Sequence, residues 1–147
     1  MKTKRLWKGF GWGIVATFVM SIVMIIGKAT GLAPMPEPIP IATVKNIFGG
    51  GPKPLLILLG IFSHFFYGGI FGALLTQLFK PVTIKKGIGL GIILWFVMQI
   101  ILLPFIGWGV FGSGMTLKIA IATLILHLIY GGTLGWITDK QLTTSIS

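Results

Sequence analysis

The sequence predicts an all-α, polytopic membrane four-helix bundle made of two parallel two-helix repeats. Three observations predict it. Hydrophobic residues make up 54% of the 147 and charged residues only 10%, with mean hydropathy +0.98. A soluble domain carries about 25% charged residues, so this chain has too little polar material to cover itself in water. Second, four charge-free stretches are long enough to span a bilayer. They hold 19 residues between Lys8 and Lys28, 26 between Lys53 and Lys80, 31 between Lys86 and Lys118, and 20 between Lys118 and Asp139. Third, the chain repeats itself. His64-Phe65-Phe66-Tyr67-Gly68-Gly69-Ile70-Phe71-Gly72 recurs 63 residues later as His127-Leu128-Ile129-Tyr130-Gly131-Gly132-Thr133-Leu134-Gly135. The shared pattern is H-x-x-Y-G-G-x-x-G, and it contains both histidines and both tyrosines of the chain.

A transmembrane helix needs about 20 apolar residues, which places helices near 8–28, 54–79, 87–108 and 117–138. Barrel strands would be about 10 residues of alternating polarity, and these runs are continuously apolar. The first helix could be mistaken for a signal peptide, because Lys2, Lys4, Arg5 and Lys8 precede it. The run is long, however, and no A-x-A cleavage site follows. Moreover, Gly9-Phe10-Gly11-Trp12-Gly13-Ile14 with Phe18-Val19-Met20 matches Gly87-Ile88-Gly89-Leu90-Gly91-Ile92 with Phe96-Val97-Met98. Helix 1 is thus the counterpart of helix 3 and belongs to the fold. Repeat 1 covers about 8–79, repeat 2 about 87–138, and 1–147 is a single membrane domain.

The first outer loop holds Pro34, Pro36, Pro38 and Pro40, which make a rigid extended approach. Residues 41, 44, 47 and 48 then repeat at helical spacing, with Pro40 in the first turn and glycines after the end. They predict a short interfacial helix on the outer leaflet; a lid over the bundle is the alternative. Glu37 there is too isolated to act as a catalytic carboxylate. Further on, Pro104 should kink or end the third helix. The glycine-rich run 107–114 reads as the turn to the fourth.

With both termini cytoplasmic, eight basic residues lie inside and four outside, in the direction of the positive-inside rule. This points to the cell membrane. The net charge of +10 reads as topogenic lysines beside anionic head groups, and no basic face interleaved with aromatics suggests nucleic acid. There are no cysteines, so thiol chemistry and disulfides are excluded. A Ser/His/Asp set, paired carboxylates and HExxH are missing, so no enzyme is expected. Gly9-x-Gly11-x-Gly13 follows no strand and is no nucleotide loop.

The candidate polar cluster is His64, Tyr67, His127, Tyr130 and Gln99. Gly60, His64, Gly68 and Gly72 share one face, as do Thr123, His127, Gly131 and Gly135. Small residues at that spacing let membrane helices approach closely, so Gly60, Gly68, Gly72, Gly131 and Gly135 are helix-packing residues. Helix 1 offers Gly9, Gly13, Thr17 and Ser21, and helix 3 offers Gly87, Gly91, Trp95 and Gln99. Equivalent placement puts both histidines near the middle of their spans.

The simplest reading of the two imidazoles is interior hydrogen bonding to a tyrosine, a backbone carbonyl, Gln99, Thr17 or Ser21. Three functional readings stand beside it. His64 and His127 suit a bis-histidine b-type haem, or, with Met20 and Met98, a soft ion such as Cu(I). They also suit a small proton-linked pathway, since repeats with polar midplane groups mark transporters. The third reading is a non-enzymatic accessory or assembly subunit, packed as a homo-oligomer or within a larger membrane complex.

Ala16-Thr17-Phe18-Val19-Met20-Ser21, Met35-Pro36-x-Pro38 and His64-Phe65-x-Tyr67-Gly68 resemble small prokaryotic membrane proteins of unknown function. Those families show A-T-x-V-M and H-F-x-x-G-x-x-x-G patterns. The resemblance covers most of the chain and implies four helices; it implies no activity. The tyrosine and double glycine in both copies depart from that pattern.

Overall fold

Inside a bilayer a helix satisfies its own backbone N–H and C=O groups, and each charge-free run becomes one. The computed structural model describes residues 2–143, all-helical apart from turns and loops. The domain reading over 1–147 includes residues 1 and 144–147, which lie outside the described residues. The helices are α1 (Lys2–Ala29), α2 (Ile39–Phe48), α3 (Lys53–Leu78), α4 (Ile84–Phe105) and α5 (Lys118–Thr143). By length and composition α1, α3, α4 and α5 can each cross a bilayer. The chain therefore reads as a multi-pass membrane protein.

Charge-free runs mark the apolar spans, and the helices overrun them. α1 begins at Lys2, well before residue 8. Its first turns are anchored: the Arg5 guanidinium donates to the carbonyls of Thr76 and Phe79 at the end of α3. Such terminal carbonyls have no partner within their own helix. α4 begins at Ile84, because the Thr83 hydroxyl caps it by accepting from the Lys86 N–H at 3.4 Å. It ends at Phe105, short of residue 108. Before that it widens into a π turn over Met98–Leu102, where the Leu103 N–H bonds to the Met98 carbonyl. Pro104 lacks an N–H and crowds the carbonyl four residues back, Ile100, which lies within this turn.

α2 begins with Pro40 in its first turn and stops at Gly49, which is left-handed at φ 69°, as the loop pattern predicts. It rests on protein. Ile39, Ala42 and Val44 are buried. The Ile41 backbone sits on Gly60 of α3, where an added Cβ would come within 2.8 Å of the Ile41 side chain. Asn46 Nδ2 donates to the Phe105 carbonyl at 2.9 Å. The apolar face at 41, 44, 47 and 48 is split: Val44 faces the bundle, while Ile47 and Phe48 are exposed. α2 thus packs on protein along one side and leaves the other exposed.

The four spans are not evenly packed. α1 runs along α3, α4 runs along α5, and α1 also packs on α5, whereas α3 and α4 scarcely touch. The hairpins are joined through α1 and α5, leaving a seam between α3 and α4. The two hairpins have the same orientation: Arg5 in α1 meets the end of α3, and Gly135 in α5 packs on Thr83 and Ile84 at the start of α4.

Glycines set how closely each hairpin closes. In the first, Gly9 and Gly72 face each other, and an added Cβ on Gly9 would lie 2.7 Å from the Gly72 carbonyl. Gly13 likewise faces Gly68. In the second, Gly87 faces Gly131, and Gly91 faces the His127 carbonyl. Sequence equivalence would instead set Gly87 opposite Gly135. The second hairpin is slid by four residues relative to the first, about 5.4 Å or one helical turn.

Candidate functional site: an intramembrane cavity between the hairpins

Where α3 and α4 part, the bundle holds a cavity of about 240 Å³. α1 contributes Thr17, Met20 and Met24; α3 contributes Ser63, His64 and Tyr67; α4 contributes Leu94, Met98 and Leu102. α5 adds Thr123, Leu126, His127 and Tyr130. Met35 in the loop and Ile39, Pro40 and Thr43 of α2 also line it. The two-helix repeat thus brings both histidines and both tyrosines to one space, with α2 against one end of it.

On α5 the polar groups form a connected set. His127 Nδ1 lies 2.8 Å from the Thr123 carbonyl. A ring nitrogen bonded to a carbonyl carries the proton, so in the neutral ring Nε2 keeps its lone pair. The Thr123 hydroxyl donates to the Ile119 carbonyl at 2.7 Å and accepts from Gln99 Nε2 at 2.9 Å. Tyr130 is 3% exposed and its hydroxyl donates across to the Gly68 carbonyl at 2.6 Å. The second copy of the motif is therefore tied to the backbone of the first.

The first copy is looser. His64 lines the cavity, yet its Nε2 is buried with no hydrogen-bond partner. Gly60 stands where Thr123 stands in the other copy, and its carbonyl accepts from the Ser63 hydroxyl at 3.0 Å. Tyr67 is 42% exposed at the cavity rim and leans on Phe71, with ring centroids 4.6 Å apart.

Gln99 is fully buried but does not line the cavity; it bonds Thr123 rather than an imidazole. Its Oε1 and the Ser21 hydroxyl have no partner. Gly68 and Gly72 pack on α1, and Gly131 and Gly135 pack on α4. Gly60 seats α2 and touches no spanning helix there. Glu37 forms a surface ion pair with Lys45 at 3.4 Å, of the exposed kind that contributes about 0–1 kcal/mol. Among the described residues no three His, Cys, Asp or Glu side chains gather to hold a metal ion.

The model of a family of unknown function, DUF6789, matches residues 3–145, nearly the whole chain. The chain belongs to the DUF6789 family. No curated protein and no solved structure matches it. Family membership assigns no activity, so the DUF6789 chain is read from its cavity.

Two sets of cavity residues escaped the sequence reading. Met20 and Met98 stand beside the histidines there as candidate soft ligands, but Met24 and Met35 do not. These two complete a group of four of the six methionines, which α1, a loop and α4 supply and no periodicity links. Thr43 and Ile39 reach the cavity because α2 packs inward. The one local signal was Thr123 four residues before His127, a spacing that puts the imidazole beside a helix carbonyl.

Proposed function

We propose that this chain is a non-enzymatic subunit of the cell membrane, both termini cytoplasmic, that holds a small apolar molecule between its hairpins. One observation carries the reading: the cavity lies where α3 and α4 separate, so the bilayer is its natural source of ligand. Met, Leu and Ile make up eight of its 17 lining residues, and eight others carry a hydroxyl or imidazole. The wall surface itself is mostly apolar with few polar atoms, the usual make-up of a small-molecule site. Methionine is flexible and fills irregular contact surfaces, so it accommodates apolar guests. The two acids of the chain lie away from this space, which leaves no carboxylate to drive acid–base chemistry or ion coupling there. Partners, whether a second copy or a larger membrane complex, would receive the protein through its lipid-facing helices.

The bis-histidine haem is the second reading. It is favoured by His127, whose Nδ1 rests on a carbonyl as ligating histidines do. The volume opposes it. An engineered cavity of about 150 Å³ holds one benzene, and 240 Å³ does not enclose a four-ring porphyrin.

A photoreactive alkyl diazirine in nanodiscs tests the proposal. Expected is saturable labelling concentrated on peptides bearing Ser63, His64, Tyr67 and Met98, lost when Met98→Trp fills the space. Labelling spread evenly over all lipid-facing residues would sink the proposal. A Soret band in protein purified after haem supplementation would favour the second reading instead.

A further inference from the structure

The cavity's hydrogen-bonding groups are unevenly balanced. For six of its side chains the proton can be followed to its destination. The Thr17 hydroxyl donates to the Gly13 carbonyl at 2.8 Å and the Thr43 hydroxyl to Ile39 at 2.8 Å. Ser63 donates to Gly60 at 3.0 Å, Thr123 to Ile119 at 2.7 Å and Tyr130 to Gly68 at 2.6 Å. His127 gives its Nδ1 proton to Thr123 at 2.8 Å. All six protons are committed to helix carbonyls.

Lone pairs remain. A hydroxyl has two acceptor sites besides its one proton, so each committed hydroxyl can still accept. His127 Nε2 accepts, and the thioethers of the four lining methionines are weak acceptors. Only Tyr67, at the exposed rim, and His64, whose tautomer no partner fixes, have a proton left to offer. Of the buried side-chain atoms without a partner, among the described residues, His64 Nε2 is the one on a residue that lines the cavity. A guest with only acceptor groups would find a proton at the rim Tyr67 or at His64 and set its lone pairs against those of the other walls. A guest with a hydroxyl would answer them.

Resting on the ligand-holding reading above, we propose that the cavity selects a lipid-soluble phenol or alcohol of about one-ring size, its hydroxyl donating to one imidazole Nε2, of His127 or His64. The volume agrees: 240 Å³ exceeds the roughly 150 Å³ that takes benzene by room for ring substituents. A tail leaves through the seam between α3 and α4. A soft metal ion would also seek lone pairs, but among the described residues no three His, Cys, Asp or Glu side chains gather to hold one.

The test compares para-pentylphenol with its methyl ether, which has the same shape and no proton to donate. Both are titrated into the full chain in nanodiscs, with empty nanodiscs correcting for partition. The phenol is expected to bind about tenfold tighter, the worth of one good buried hydrogen bond. His64→Phe and His127→Phe should bring the two ligands within about twofold. In the unaltered protein the phenol should also move the imidazole Nε2 NMR resonances while the ether does not, which needs no variant to fold. Equal, saturable binding of both ligands, lost in Met98→Trp, would overturn the hydroxyl preference and leave the ligand-holding reading standing. Saturable binding of neither would overturn both. Unmoved Nε2 resonances with phenol bound would remove the histidines from the contact and the proposal with them.

Discussion

The two copies of H-x-x-Y-G-G-x-x-G have nearly the same local sequence and opposite roles. In the second copy Tyr130 is buried and its hydroxyl reaches the Gly68 carbonyl, while His127 is fixed on Thr123. In the first copy Tyr67 is 42% exposed and His64 Nε2 has no partner. The cause lies in which helices touch. α5 is an inner helix, flanked by α1 and α4, whereas α3 is held by α1 and α2 and scarcely meets α4. One copy became the hinge-pin that joins the hairpins, and the other became the wall of the opening. Duplication supplies two equivalent faces; the way the duplicates dock makes them unequal.

The sharpest test of that inequality is in the glycines after each tyrosine. An added Cβ on Gly131 would lie 2.9 Å from the Gly87 carbonyl carbon and 3.1 Å from Ile88 Cα. Those are backbone atoms with nowhere to go. At Gly68 the obstruction is the Thr17 side chain, with Thr17 Cβ at 3.1 Å. Gly131→Ala should destabilise the protein by about 2–3 kcal/mol, and Gly68→Ala by about 1–2 kcal/mol. Thr17→Ala should recover part of the Gly68→Ala loss and none of the Gly131→Ala loss. SDS titration from mixed micelles measures all of these. Equal costs at the two glycines, or rescue of both, would show that the one-turn slide between the hairpins is wrong.

The tyrosines come next. Tyr130→Phe removes a buried hydrogen bond and should cost about 1 kcal/mol, within the range for bonds between membrane helices. Tyr67→Phe should change stability by less than about 0.5 kcal/mol. The same titration decides it. Comparable losses would mean that Tyr67 also bonds across the seam, closing the gap between α3 and α4.

The four spans were legible because charge is so expensive in a bilayer that its absence marks a helix. Where the helices end was less legible, since Lys4, Arg5 and Lys8 sit in helix as readily as outside it once Arg5 finds the carbonyls of α3. The repeat and its glycine faces were legible in H-x-x-Y-G-G-x-x-G. The slide of Gly87 from Gly135 to Gly131 was not, because either register presents small residues to small residues. Nor was the fate of Gln99, whose partner Thr123 lies on a different helix. Met20 and Met98 pair with the histidines in sequence, but Met24 and Met35 escaped notice because three separate segments supply the cavity's methionines. Local pattern identified faces, and only docking decided which face meets which.

The second glycine of each pair gives the smallest effect, and one that changes sign between the copies. At Gly132 an added Cβ finds only Ile88 Cγ1, at 4.0 Å, which is open space. Glycine inside a helix is less favourable than alanine by about 0.5–1 kcal/mol, so Gly132→Ala should stabilise by that amount. At Gly69 the added Cβ would come within 2.6 Å of the Phe10 ring. That ring meets Trp7 and Phe66 edge-on, each with centroids 6.0 Å away, so moving it disturbs two further contacts. Gly69→Ala should therefore lose about 1 kcal/mol despite the same gain in helix propensity. Stabilisation by both substitutions would mean that Phe10 swings freely into lipid and that α1 is held to α3 by its glycines alone. Loss from both would place Gly132 against a surface that a single chain does not provide, such as a second copy.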